Sequence, residues 1–192
     1  MTRVVAWFLA VLLAGCAHSP DQTFFALSAQ SGPSVPSRPL KVELRRAGLP
    51  GYLDRPHIVR RATAERLELS GDERWGAPLD EMVGATLAEN LSQRLPNCVV
   101  FSDSGAISAT ADVRLEVQLF RFERTADGEA VLVAEVAVHS TNDKPDAIQR
   151  FALHEKPASG RTADVVTSFS HLLGALSDGI APLIARAAAA AP

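Results

Sequence analysis

Cys16 is the residue whose surroundings specify a chemistry most clearly. Leu13-Ala14-Gly15-Cys16 closes an apolar run, Val4 to Leu13, that is preceded by Arg3. A positive n-region, a short apolar h-region and small residues ahead of a cysteine have the form of a lipoprotein signal peptide, residues 1–15. Small side chains at Ala14 and Gly15 fit a peptidase cleft, and the Cys16 thiol is the nucleophile that accepts a diacylglycerol. Each buried methylene contributes about 0.8 kcal/mol, so several acyl chains together hold where one does not. Ala17 stands where an Asp would favour retention in the inner membrane, which points to the outer membrane.

The other reactive residue types specify less. Once Cys16 is acylated, Cys98 is a lone thiol in Cys98-Val99-Val100-Phe101, which reads as a buried strand carrying a small inert hydrophobe. Histidines 18, 57, 139, 154 and 171 are scattered, and none pairs with another at ligand spacing. His139 and His154, as cross-strand neighbours, are the one conceivable metal pair, but two histidines without a third ligand are more often satisfied surface residues. Asp103 lies between Ser102 and Ser104, yet a triad needs a histidine within hydrogen-bond reach. Phosphate loops, dinucleotide fingerprints, the Gly-x-Ser-x-Gly elbow and the His-Glu-x-x-His motif are all missing. No catalytic residue, metal or cofactor is assigned, and the chain reads as a non-enzyme.

Composition bounds the scaffold that must carry these groups. A chain of 192 residues, 47% hydrophobic, suits one globular domain with a sizeable core. Its net charge of -3 argues against a nucleic-acid binder. The longest apolar run is half of the roughly 20 residues that a membrane-spanning helix needs. Charge is unevenly spread: Arg38 to Arg66 holds eight basic residues against three acids. That strip either faces anionic headgroups or an acidic partner, or is a strand face balanced in space by acids elsewhere.

Periodicity supplies the elements. Thr23–Leu27 has strand character, Ser28–Ser37 is a loop, and Leu40–Leu44 alternates as a half-buried strand. Leu49–Pro56 is rich in turn residues. His57–Arg60 and Arg66–Leu69 look like two short strands, with Ala62-Thr63-Ala64-Glu65 weakening the case for a hairpin. Pro78 to Leu95 is a helix, with Leu79, Met82, Val83, Leu87, Leu91 and Leu95 on one stripe. Pro78 suits its first position, and Asp80 and Glu81 complement its positive end. Ala111–Glu123 and Ala130–His139 flank an Asp127-Gly128 hairpin turn, and Ile148–Leu153 completes a meander. A second helix starts at Ala163 and runs to about Leu176, with Gly174, Gly179 and Pro182 predicting a kink and Ala187–Ala191 a frayed end. The expected class is α+β: one domain, an antiparallel (mixed) β-sheet, and two main helices packed on one face.

Two blocks together carry a family pattern. Leu49-Pro50-Gly51-Tyr52-Leu53-Asp54-Arg55-Pro56-His57-Ile58-Val59 is followed by Glu73-Arg74-Trp75-Gly76-Ala77-Pro78-Leu79-Asp80, which leads into Glu89-Asn90-Leu91-Ser92-Gln93-Arg94-Leu95-Pro96. With the cysteine box and Phe24-Phe25-Ala26-Leu27, the mature chain resembles the ABC-type transport auxiliary lipoproteins, the PqiC family, over nearly its whole length. Ala77 departs from the pattern, where a hydroxyl residue is expected. The resemblance implies an outer-membrane lipoprotein accessory to an MCE-type system that moves lipids between membranes, anchored on the periplasmic side through Cys16. It implies an MCE-domain protein as partner, outer-membrane lipids as the anchor's host, no nucleic acid, and leaves homo-oligomerisation open. The domain plan is residues 1–15 signal peptide, 16–37 lipidated tether and first strand, and 38–192 the auxiliary domain. Within that plan Tyr52, Leu53, Arg55, Arg60 and Arg61 are the candidate partner contacts. Trp75, Pro78 and Leu79 form the structural motif, with Trp75 read as a core staple and Tyr52 as the better contact. A lipid-binding carrier with its own apolar cavity and a periplasmic hydrolase are the alternatives.

Overall fold

The structure is a computed structural model that describes residues 22–103, 105–106, 109–140 and 147–190. Cys16, Ser104 and the expected turn over 141–145 lie outside the described residues. Among the described residues, eight strands and two helices follow in the order β1 (Thr23–Phe25), β2 (Leu40–Leu44), β3 (His57–Arg61), β4 (Leu67–Trp75), α1 (Leu79–Arg94), β5 (Cys98–Ser102), β6 (Val113–Arg124), β7 (Ala130–His139), β8 (Ala147–Glu155) and α2 (Thr162–Ala190).

Strand β6 organises the sheet. One of its edges pairs antiparallel with β7, and β7 pairs with β8, as the meander pattern requires. Gly128 supplies the left-handed turn residue at φ +90°. Its other edge is shared: β2 pairs in parallel with residues 113–115, Gly48 bridges to Gln118, and β3 meets Arg124. Parallel β5 extends the β2 wing, while antiparallel β4 and then parallel β1 extend the β3 wing. The sheet is therefore mixed, with more parallel pairing than alternation alone suggested. Period-two patterning specifies which face is buried and leaves the partner strand open.

Both helices pack on one face. The predicted α1 stripe is buried at Leu79, Val83, Leu87, Leu91 and Leu95, while Met82 is only partly buried. Pro78 occupies the cap rather than the first helical position, and no side chain caps the helix. Inward residues of β6 alternate through Val113, Leu115, Val117 and Leu119 and then resume at Phe122, because the pairing with β7 shifts between Leu119 and Arg121. Helix α2 continues through Pro182 to Ala190 instead of closing near Leu176. Its apolar stripe persists there, with Ile180, Ala181, Leu183, Ile184 and Ala187 all buried, and tertiary packing outweighs the missing backbone donor. Two α2 glycines admit close neighbours: a Cβ on Gly174 would stand 2.8 Å from the Gln30 side chain, and one on Gly179 only 2.3 Å from the Phe151 ring.

The Ser28–Ser37 loop is a strap laid over the two helices. Ser28 N donates to Ser170 Oγ at 3.1 Å, Gln30 N to Asn90 Oδ1 at 2.7 Å, and Val35 N to Arg94 O at 2.7 Å. The Arg94 side chain, 1% exposed, holds all three parts together. It donates to Asp178 at 2.6 Å, to Gln30 O at 2.8 Å and to Gly174 O at 3.0 Å. A buried guanidinium is tolerated only with such complete pairing.

Candidate partner-binding site

The two sequence blocks meet in space. Residues 50–55 form a tight turn in which Leu53 N bonds Pro50 O at 2.9 Å and Arg55 N bonds Leu53 O at 2.8 Å. Leu53 is 2% exposed and pins the turn into the core, so it supports a contact surface rather than presenting one. Trp75 N bonds Pro56 O at 2.7 Å, and Gly76 N bonds Phe25 O at 2.8 Å, which joins the second block to the first and to β1. Trp75 is 5% exposed, with its ring centroid 6.3 Å from that of Phe169. Between the blocks runs an open groove of about 380 Å³ walled by Asp54, Arg55, Pro56, Trp75, Pro78 and Leu79. A second groove of about 410 Å³ shares Asp54 and Pro78 and reaches Arg46 and Asp80.

Tyr52 turns the other way, onto the far face of β6. Its hydroxyl donates to Phe120 O at 3.4 Å, and the phenol lies near enough to the Glu123 carboxylate for each to perturb the other. Glu123 is wholly buried and receives Arg61 Nε at 2.5 Å and Arg121 at 3.0 Å. Burial pushes the Glu123 carboxyl up, but hydrogen bonds from Arg61, Tyr52 and Arg121 outweigh it and hold the group below the usual carboxylate range. Burial and then the neighbouring Glu123 charge push the Tyr52 phenol well above its ordinary value. The cluster is a latch: the buried carboxylate fastens Arg61 of β3 to β6, and Tyr52 ties the Pro50–Pro56 turn to the same strand through Phe120 O. Tyr52 is thus half-buried and its hydroxyl is engaged within the chain.

The five candidate contacts therefore separate. Arg60 and Arg61 are adjacent on a strand and point to opposite faces. Arg60 reaches Ser70 at 3.1 Å and Glu73 at 3.7 Å, beside the start of α2, where Thr162 bonds Glu73. Arg61 joins the Glu123 latch. Arg55 is exposed and, among the described residues, has no acidic partner. It is the candidate the groove leaves available. The rest of the basic strip is largely neutralised in space: Arg45 pairs with Asp103 at 3.1 Å, Arg46 with Asp80 and Glu81, and Arg66 with Glu68 at 2.9 Å.

The reactive residue types do not assemble. His139 faces Arg114 at one end of β7, while His154 faces Val131 near the other, so they are not cross-strand neighbours. Each has its own carboxylate instead, Glu116 at 3.5 Å and Glu129 at 3.7 Å. Among the described residues no three His, Cys, Asp or Glu side chains are arranged to hold a metal. Cys98 is half-buried rather than buried, because β5 is an edge strand paired only with β2 and leaves Val99 62% exposed. Its Sγ lies 3.2 Å from Ser37 Oγ. Glu123 and Arg94 were not singled out by sequence; a charged residue inside an otherwise alternating strand was the available signal for the first. Among the described residues no helix is long and apolar enough to cross a membrane.

Fold and site define an α+β domain: a mixed sheet under two helices, with surface grooves built from turn residues. The family model for the ABC-type transport auxiliary lipoprotein component matches residues 25–181. The chain belongs to that family, and it is PqiC-like. It is 28% identical over 141 residues to the intermembrane transport lipoprotein PqiC of Escherichia coli (strain K12), covering 70% of this chain and 73% of that one. The PqiC of Shigella flexneri matches to the same extent, 28% over 141 residues. A crystal structure of a protein from Xanthomonas campestris superposes with a TM-score of 0.70 at 18% identity, covering 85% of this chain and 93% of that chain. Another crystal structure, of an uncharacterized protein, gives a TM-score of 0.73 at 21% identity, covering 86% of this chain and 99% of that chain. These two likenesses concern the fold.

Proposed function

We propose that this chain is the outer-membrane lipoprotein subunit of an MCE-type intermembrane lipid transport system, docking or anchoring the periplasm-spanning component without catalysis. The observation that carries the reading is the convergence of the two family blocks, Tyr52–Pro56 and Trp75–Leu79, on one groove wall. Asp54 and Arg55 are the charged residues there, and among the described residues neither has an ion-pair partner. The match to PqiC relatives, whose name is intermembrane transport lipoprotein, supports the transport role. In this reading residues 1–15 are removed, Cys16 is acylated, 16–37 form the tether and first strand, and 38–192 the auxiliary domain. The carrier alternative asks for an apolar cavity between sheet and helices, a space occupied by Leu119, Phe122, Phe169 and Leu173. A photo-crosslinker at position 55 tests the docking site in intact envelopes. The MCE-domain partner should be captured from position 55 and not from the exposed Glu89 on α1. Equal capture from both positions, or none from 55, overturns the assignment of the groove.

A further inference from the structure

Phe24 is 61% exposed although it is fixed in a strand. Strand β1 pairs in register with β4, so that Phe25 lies beside Trp75, and both belong to the core or pack against it. Phe24 belongs to the alternate row, with Arg74 directly beside it and His57 beyond Arg74 on β3. That row points away from the helices, because neighbouring residues of a strand face opposite sides. Arg74 has a buried Nε with no hydrogen-bond partner and, among the described residues, no acidic neighbour in contact. Exposed Phe side chains on a membrane-facing surface bury into the headgroup/acyl boundary of a bilayer, and guanidinium groups pair with its phosphates.

Chain length keeps this row close to the acylated residue. Cys16 and Phe24 are eight residues apart, which even fully extended reach at most about 28 Å. Phe24 cannot drift from the core either. Phe25 O is held by Gly76, and Ser28 and Gln30 are pinned to α2 and α1. A three-residue edge strand is also a poor template for pairing with another chain. We propose that Phe24, with Arg74 beside it, rests in the headgroup region of the phospholipid leaflet that holds the acyl chains of Cys16. The domain then lies against the membrane on its β1 corner, with the Trp75–Pro78 groove close above the lipid. This inference rests on acylation of Cys16.

The test uses the mature acylated protein in vesicles of phosphatidylethanolamine and phosphatidylglycerol, with and without acyl chains brominated near the headgroup. Signal-peptide removal takes Trp7 away, so buried Trp75 is the only background indole. The variant Phe24→Trp places a reporter at the proposed contact. Its emission should be blue-shifted, and most of the added emission should be lost to brominated chains, while the parent is unaffected. Arg74→Gln should weaken that quenching on these anionic vesicles. Protein that floats with the vesicles but shows no quenching at position 24 overturns the proposal and leaves the anchor intact. A blue shift that grows with protein concentration and ignores bromination identifies a protein contact instead, and also overturns it. Failure to float removes the anchor reading and the proposal together.

Discussion

Replacing Glu123 by Gln removes the charge at the centre of the latch while nearly preserving its shape. The carboxylate is 0% exposed and takes bonds from Arg61 at 2.5 and 3.3 Å and from Arg121 at 3.0 Å. Breaking a fully buried ion pair costs about 3–5 kcal/mol. Arg61 and Arg121 are 24% and 36% exposed, so both guanidinium groups regain water when released, and the cost falls to about 2–3 kcal/mol. For a chain of this size each kcal/mol shifts Tm by about 2–4 °C, so Glu123→Gln should melt about 4–12 °C below the parent at pH 7. The folded carboxyl titrates below its ordinary value. Its contribution is therefore complete above the ordinary carboxylate pKa, roughly 4.3, and is lost as pH falls through the lower folded value. The gap in Tm between parent and variant should close across that acid window and stay constant from pH 6 to 8. Thermal melts by circular dichroism at a series of pH values measure both. A gap under about 1 °C at pH 7, or one that does not narrow in acid, refutes the latch.

Three further outcomes follow from the packing. Trp75→Ala should lose about 3–5 kcal/mol, because the ring is 5% exposed against Phe169; denaturant unfolding measures it, and a loss under 1 kcal/mol would return Trp75 to the surface. Gly179→Val should destabilise by about 1–3 kcal/mol, since its Cβ would collide with Phe151, and Phe151→Ala in the same chain should recover part of that loss. Asp178→Asn weakens the hold of Arg94 on the strap, so amide exchange at residues 28–35 should accelerate more than exchange in β7; uniform acceleration would mean global destabilisation instead.

Much of the latch and groove was out of reach of local pattern. Tyr52 and Glu123 are 71 residues apart in sequence, and nothing local to either announces the other. The turn-rich Leu49–Pro56 segment suggested an exposed aromatic, yet the tertiary structure half-buries Tyr52 beside Glu123 and gives its hydroxyl to Phe120 O. Cys98 shows the same limit: Val-rich surroundings indicate a strand, while exposure depends on whether that strand ends at an edge. The basic strip read as one feature in sequence and resolved into separate ion pairs on different faces.

The sequence by itself determined the cysteine box, the α+β class, the α1 stripe, the Asp127-Gly128 hairpin and the family. These depend on interactions within a few residues, on period, or on motifs recognised as strings. Only the tertiary structure decided that β2 and β5 run parallel beside β6, that α2 continues past Pro182, and that Arg94 and Glu123 are buried. It also decided that Arg60 and Arg61 act apart, and that Phe24 stands exposed on a fixed corner. The physical reason is common to all of these. Strand partners and buried charge pairs are chosen by long-range packing and desolvation, which are properties of the assembled layers and leave no local period in the chain.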